Sequence, residues 1–429
     1  MTPEIDVAPR PSQLAKLAIP AIVIGVLSGV LLWGVEGVAE ILEHGIWVSL
    51  PDAIGASADS AWWIIGTLTL TGLAVGLVIR YSPGHGGQDS ATVELIGPVL
   101  PMRAVPGVAA VLILALAGGV SLGPENPIIA LTIALSVALA KRFVPKVPTP
   151  YILMMAAAGI LGAMFGTPIA AALLLTEMVA AAKRGGMLWD RLFGPVVAAG
   201  FGALVAKSLG VALMGDGLGS VYEGPNFEQV LIGTPIALVA ALVGIAGAWA
   251  MPRLWRLFRR LRNPVLYVTA GGLVLGLLGA IGGPITLFKG STQTTDLISQ
   301  ADTMTTWQIL ATALIKIAAL TVAAAVGFRG GRIFPSVFIG VAIGLTAQSL
   351  FPSIDTPIAL ACGVLGAVLA VGRNGWLALF IAVAIGGDIE ILTVMCVIIL
   401  PTWLLVTGAP HMLVRDKDDL ALAEREPFL

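Results

Sequence analysis

Glu125 is the residue whose chemistry most needs explaining. It sits in Gly-Gly-Val-Ser-Leu-Gly-Pro-Glu-Asn-Pro, residues 118–127, and is the one charged residue across positions 105–140. Desolvating a carboxylate is costly, so in a bilayer such a group marks a gate, a proton relay or an ion site. The preceding glycines loosen the chain, Pro124 suits a helix's first turn, and Pro127 follows closely. A helix continuing over residues 128–139 leaves unpaired N–H groups pointing back at Gly123, Glu125 and Asn126, an arrangement that binds anions. A plain helix-terminal acid making a capping interaction is worth from a few tenths to about 2 kcal/mol. That reading explains the position of Glu125 but not its apolar setting.

A second stretch has the same grammar. Gly327-Phe328-Arg329-Gly330-Gly331-Arg332 approaches a helix that starts around Ile333. Two helix starts facing one another put partial positive charge on an anion from both sides, each worth about 0.3 to 1 kcal/mol when exposed and more when buried. Arg329 and Arg332 flank this stretch, either as part of a vestibule potential or as interface charges reaching for water. His85, in the glycine-rich break 81–89, is either a donor to an anion in the same central region or a plain loop histidine. Lys316 lies mid-span and requires a water-filled path or a carboxylate. Glu36, Glu40 and Glu43 recur at one-turn spacing, which reads as a polar helix face rather than a reactive cluster.

The elements that must position these groups are transmembrane helices. The 429 residues are 57% hydrophobic and 11% charged, with mean hydropathy +0.96. That excludes a soluble protein, and a net charge of −1 gives no reason to invoke nucleic acid. Apolar spans are expected at 18–35 (continuing toward 50), 62–79, 107–119, 193–214, 230–250, 307–325 and 391–406. The pieces 152–165, 168–182, 364–369 and 376–384 are short against the roughly 20 residues of a full span, as in broken or re-entrant helices. Basic clusters at Lys141, Arg142 and Lys146, at Lys183, Arg184 and Arg191, and at Arg253, Arg256, Arg259, Arg260 and Arg262 mark the cytosolic side. Residues 1–15 read as a cytosolic lead-in without a cleavable signal, and 414–429 as a short charged cytosolic tail with no regulatory domain. Cys362 and Cys396 lack ligand spacing and read as buried small hydrophobes. No nucleotide, metal or cofactor motif occurs at useful spacing, so neither an enzyme nor a cofactor is expected.

Three segment pairs match at nearly constant offset. Residues 72–77 resemble 272–277, residues 158–163 resemble 362–367, and residues 123–127 are mirrored at 331–335. These matches imply two membrane repeats, 16–216 and 228–413, joined by a loop at 217–227, an arrangement that builds sites from broken helices at the repeat interface.

With these residues in view, the chain resembles the CLC family of chloride channels and chloride/proton antiporters over about residues 18–412. The likeness is greatest to its divergent bacterial branch of ion-channel or ion-transport proteins. The family's Gly-Lys/Arg-Glu-Gly-Pro signature is met by Gly123-Pro124-Glu125-Asn126-Pro127, and its Gly-x-Phe-x-Pro signature by Gly331-Arg332-Ile333-Phe334-Pro335. The resemblance implies an all-α polytopic fold of two inverted repeats with broken, tilted and re-entrant helices. It also implies that Glu125 is the gating carboxylate, that the N–H groups of Arg332 and Ile333 are anion donors, and that Glu177 is an internal proton-transfer glutamate. His85 and Met412 fall at the family's serine and tyrosine positions, so both usual side-chain donors to the central anion are replaced. The expected function is transport of chloride or a similar small anion in exchange for protons. The alternatives are an uncoupled voltage- or pH-gated chloride channel and an exporter of fluoride or another small anion. A homodimer with one pathway per subunit, in a bacterial inner membrane with both termini cytosolic, completes the expectation.

Overall fold

The computed structural model describes residues 11–181, 188–211, 222 and 224–414. Lys183, Arg184, most of the 217–227 loop, residues 1–10 and the tail from 415 lie outside the described residues. Among those described, all regular structure is helical apart from one isolated antiparallel bridge. Eight helical stretches are long and apolar enough to cross a membrane.

Helix α1 (Pro11–His44) runs through one π-helical turn (Gly45–Ser49) into the short α2 (Leu50–Ile54), so the acids at 36, 40 and 43 are helical. Then come α3 (Ala61–Tyr81), α4 (Val105–Ala117), α5 (Glu125–Phe143), α6 (Thr149–Phe165), α7 (Pro168–Ala181) and α8 (Leu188–Ser208). The second half repeats this order. It comprises α9 (Phe227–Arg259), α10 (Pro264–Gly282), α11 (Ser291–Gln300), α12 (Thr306–Ala325), α13 (Ile333–Leu350), α14 (Thr356–Gly372), α15 (Gly375–Gly386) and α16 (Ile391–Thr407). Helix α9 is longer than the hydropathy suggests, and Arg253, Arg256 and Arg259 lie within its last turns, where the helix dipole favours cations.

The matched segments explain how the halves meet. Helices α3 and α10 form the most extensive helix pair. A Cβ on Gly72 would stand 2.6 Å from the Val268 carbonyl, and one on Gly276 would stand 2.7 Å from the Ile65 Cα, so this approach requires glycine. Without water to drive association, such backbone-to-backbone packing is what holds membrane helices together. At the centre of the chain α13 and α14 are buried on nearly every side, with each residue from Pro357 to Val371 buried. The uninterrupted apolar sequence of α14 suits that place, because no face of it meets water.

The short helices are broken as expected. Helix α6 ends at Gly166 in the left-handed region and α7 restarts two residues later at Pro168. In the second half the same turn is made by Arg373, a non-glycine residue at φ 55°, followed by Asn374, whose side chain caps α15 by accepting the Leu377 N–H at 2.7 Å. Cys362 is buried as expected, whereas Cys396 is exposed on α16.

Candidate functional site

The two glycine-rich approaches meet. Gly123 donates its N–H to the Gly331 carbonyl at 2.9 Å, and Gly331 donates back to Gly123 at 2.7 Å. This reciprocal pair fixes the starts of α5 and α13 against each other. Glu125 is the first residue of α5, is fully buried, and its Oε1 accepts the N–H of Phe334 at 2.9 Å. The N–H groups of Ile333 and of Glu125 itself also face the carboxylate. Oε2 is buried without a partner. A side chain at Gly123 or Gly331 would collide with this carboxylate, which is why both positions are glycine.

Arg332 is the N-cap of α13, and in this structure the N–H groups at the Glu125 carboxylate are those of Phe334 and Ile333, so Phe334 joins the expected donors. Phe334 was not legible as a donor because its side chain gives no hint of what its N–H does. The Arg332 side chain reaches away and donates to the carbonyls of Met412 and, at 3.1 Å, Val93. Asn126 is half-buried and donates to the Glu94 carbonyl at 3.2 Å.

A cavity of about 360 Å³ opens beside this site, lined by Asn126, Arg332, Ile333, Met412, Leu174 and Asn374 among others. Leu174 lies about one turn before Glu177, which is half-buried on α7. The Trp376 N–H, in the first turn of α15, bonds its carboxyl group, and Oε2 is buried without a partner. The structure therefore brings Gly123, Glu125, Asn126, Arg332, Ile333 and Met412 together, while Glu177 lies one turn beyond Leu174 and is not itself among the residues lining the cavity.

His85 is not among them. It is exposed at φ 53°, its Nδ1 lies 3.1 Å from the Ile79 carbonyl, and its own carbonyl accepts from Arg329. Four successive positive-φ residues, 84–87, turn the ring back onto the end of α3. Ser90, just after this break, faces inward. Its hydroxyl lies 2.6 Å from the Phe328 carbonyl and accepts the Gly330 N–H at 2.8 Å, so it is spent on holding the second approach in place. Asp89 beside it pairs with Arg259 and stands 3.6 Å from Arg329. Arg329 is 7% exposed and belongs to this ionic network, not to an interface. The Asp-Ser pair following a glycine run was the available signal for both.

Among the described residues Lys316 meets backbone carbonyls and no carboxylate. Its Nζ donates to the carbonyls of Thr286, Leu287 and Phe288 at 2.9, 2.8 and 2.7 Å and lies 5.1 Å from the centre of the Phe338 ring. A buried ammonium is tolerable when its donors are filled, and the break after α10 supplies three acceptors that its own backbone does not use. That break in turn holds the first approach. Phe288 donates to the Gly119 carbonyl at 3.0 Å, and Ser121 to the Thr286 carbonyl at 3.1 Å. Among the acids of α1, Glu36 pairs with Lys289.

Comparison with known proteins places this geometry. The family described as voltage gated chloride channel matches residues 60–405. Proteins named "Putative ion-transport protein YfeO" from Shigella boydii serotype 4 (strain Sb227) and Escherichia coli (strain K12 / DH10B) are 44% identical over 414 residues, covering 95% of this chain and 96% of theirs. Among solved structures, a slow cyanobacterial Cl−/H+ antiporter superposes with a TM-score of 0.78 at 16% identity, over 96% of this chain and 97% of that one. A CLC-type fluoride/proton antiporter superposes with a TM-score of 0.73 at 19% identity, over 94% and 98%. The identities to these structures carry the fold alone, while the family match and the 44% relatives carry membership. The chain is an all-α, multi-pass membrane protein and belongs to the CLC family of voltage-gated chloride channels and ion transporters.

Proposed function

We propose that the protein moves chloride or a similar small anion across the membrane in exchange for protons, with Glu125 as the exchanging carboxylate. One observation carries this reading. The Glu125 carboxylate rests on the first-turn N–H groups of α13 with its second oxygen buried and unpartnered. A carboxylate there holds the place a monovalent anion would take on the same donors. Ionised Glu125 makes strong charge-assisted bonds to them; protonated Glu125 makes weaker ones and yields to the anion. Lowering the pH on the side from which Glu125 takes its proton should therefore raise anion flux. Glu177, one turn beyond the cavity-lining Leu174 on α7, is the proposed relay for protons from the cytosolic side. A homodimer with one pathway per subunit, an inner-membrane location and cytosolic termini belong to the same proposal.

The test is purified protein in liposomes, with anion flux and external pH recorded together under a chloride gradient. Coupled proton movement that disappears in Glu125→Gln, while anion flux persists or rises, is the expected result. Proton coupling that survives this substitution overturns the assignment of Glu125. Chloride flux without any proton movement identifies a channel instead, and flux restricted to fluoride identifies a fluoride exporter.

A further inference from the structure

We propose that Asp89 and Lys289 are a repeat-related pair of positioning residues for the Glu125 site, each anchoring a loop of one half of the chain so that it holds the glycine-rich helix start of the other half. This rests on the reading of Glu125 as the exchanging carboxylate, since the two loops hold that carboxylate and the N–H groups that receive it.

The repeat singles out the pair. The 200-residue offset that relates 72–77 to 272–277 also relates Asp89 to Lys289. Asp89 lies in the loop after α3 and Lys289 in the loop after α10, the two helices that pack most extensively against each other. The two charges are opposite, and so are their partners. Asp89 pairs with Arg259 in the last turn of α9, and Lys289 pairs with Glu36 in α1. Each loop is thus anchored to the long helix that opens the half it does not belong to. All four side chains are largely withdrawn from solvent, which separates these pairs from exposed ones that contribute little. The surrounding charges are few: Asp89 also faces Arg329, and Glu43 lies within range of the Lys289 charge.

The residue beside each ion pair grips a helix approach, and the halves cross again. Ser90, after Asp89, accepts the Gly330 N–H at 2.8 Å and lies 2.6 Å from the Phe328 carbonyl, both in the approach to α13. Phe288, before Lys289, donates its N–H to the Gly119 carbonyl at 3.0 Å, in the approach to α5. A tryptophan completes each anchor. Trp255 of α9 donates to Asp89 at 3.4 Å. Trp47, in the turn after α1, packs edge-on against the Phe288 ring and donates to the Ala117 carbonyl at 2.9 Å.

The hydrogen bond from Phe334 to Glu125 spans the two approaches, so its geometry depends on where both loops sit. Charge-assisted bonds weaken steeply as distance and angle degrade, and bonds to the ionised form are what keep a carboxylate ionised. Releasing either loop therefore loosens the hold on ionised Glu125, which then yields to the anion at a higher pH.

Hydrogen exchange in detergent, read by mass spectrometry on peptides covering 117–123 and 327–332, tests the crossing. Lys289→Met and Glu36→Gln should each speed exchange about fivefold or more in 117–123 and less than about twofold in 327–332, and Asp89→Asn should do the reverse. Glu36→Gln leaves the lysine in place and carries the test if Lys289→Met does not fold. In liposomes, the pH of half-maximal anion flux should rise by about 0.5 unit or more in Lys289→Met and in Asp89→Asn, and Lys289→Arg should restore the wild-type value. Combined with Glu125→Gln, the same substitutions should leave the pH dependence of flux unchanged. Faster exchange confined to the approach of the substituted residue's own half, or equal in both approaches, overturns the proposal. So does an unchanged half-maximal pH in the folded variants, or a shift that persists with Glu125→Gln. A crossed exchange pattern together with wild-type flux that ignores pH removes the Glu125 reading and leaves the crossed anchoring standing.

Discussion

The carboxylate of Glu125, first residue of α5, accepts the N–H of Phe334, second residue of α13, at 2.9 Å across the interface between the two halves of the chain. Each helix start thus completes the other, the first giving a charge and the second the donors that receive it. The reciprocal Gly123 and Gly331 hydrogen bonds set the distance at which this works.

Gly331→Ala tests that spacing. The new methyl group would occupy the volume of the Glu125 carboxylate, which must then swing out or push the two approaches apart. Overpacking of this kind costs about 1 to 3 kcal/mol. Thermal unfolding in detergent should show a lower midpoint, and folded protein in liposomes should carry anions with a flattened dependence on pH. Unchanged stability together with unchanged pH dependence would mean that Glu125 does not sit where the structure has it.

Lys316→Met removes the ammonium and leaves the Leu287 and Phe288 carbonyls without their donor, the Thr286 carbonyl keeping the one from Ser121. Leaving a buried acceptor without its donor costs about 1 to 3 kcal/mol. The effect should reach the site through Phe288 and Gly119, so residual folded protein is expected to lose flux as well as stability. Native thermal stability in this variant would show that the carbonyls find other partners.

Glu177→Gln should separate the two ions. The amide can still accept the Trp376 N–H, so the start of α15 keeps its contact, but it cannot carry a proton. Anion flux within about threefold of wild type, with proton movement reduced at least tenfold, is the expected pair of readings in the liposome assay. Equal loss of both would assign Glu177 a structural role.

His85→Ala should leave anion flux and its chloride-to-nitrate ratio within twofold of wild type, because the ring is exposed and bonded to Ile79. Ser90→Ala, by contrast, removes an acceptor for the buried Gly330 N–H and should lower the unfolding midpoint, with a cost of about 1 to 3 kcal/mol. A large change in ion preference in His85→Ala would return that residue to the anion path.

How much of this was legible depends on the range of the interaction involved. Apolar run lengths and helix breaks are local properties, so Gly166-Thr167-Pro168 and the 372–375 turn announce themselves, and an isolated carboxylate such as Glu125 stands out in any apolar run. The near-constant offset between matching segments likewise reveals that the chain uses one helix order twice, since a repeated design leaves a repeated pattern. Side-chain direction and backbone partnership are not local. Which N–H receives Glu125, why Ser90 rather than His85 turns inward, that Lys316 is satisfied by carbonyls, and that Arg332 reaches Met412 across the cavity all depend on segments far apart in the chain. Hydrogen bonds to backbone groups leave no residue-type signature at the acceptor, so only the folded chain could decide them.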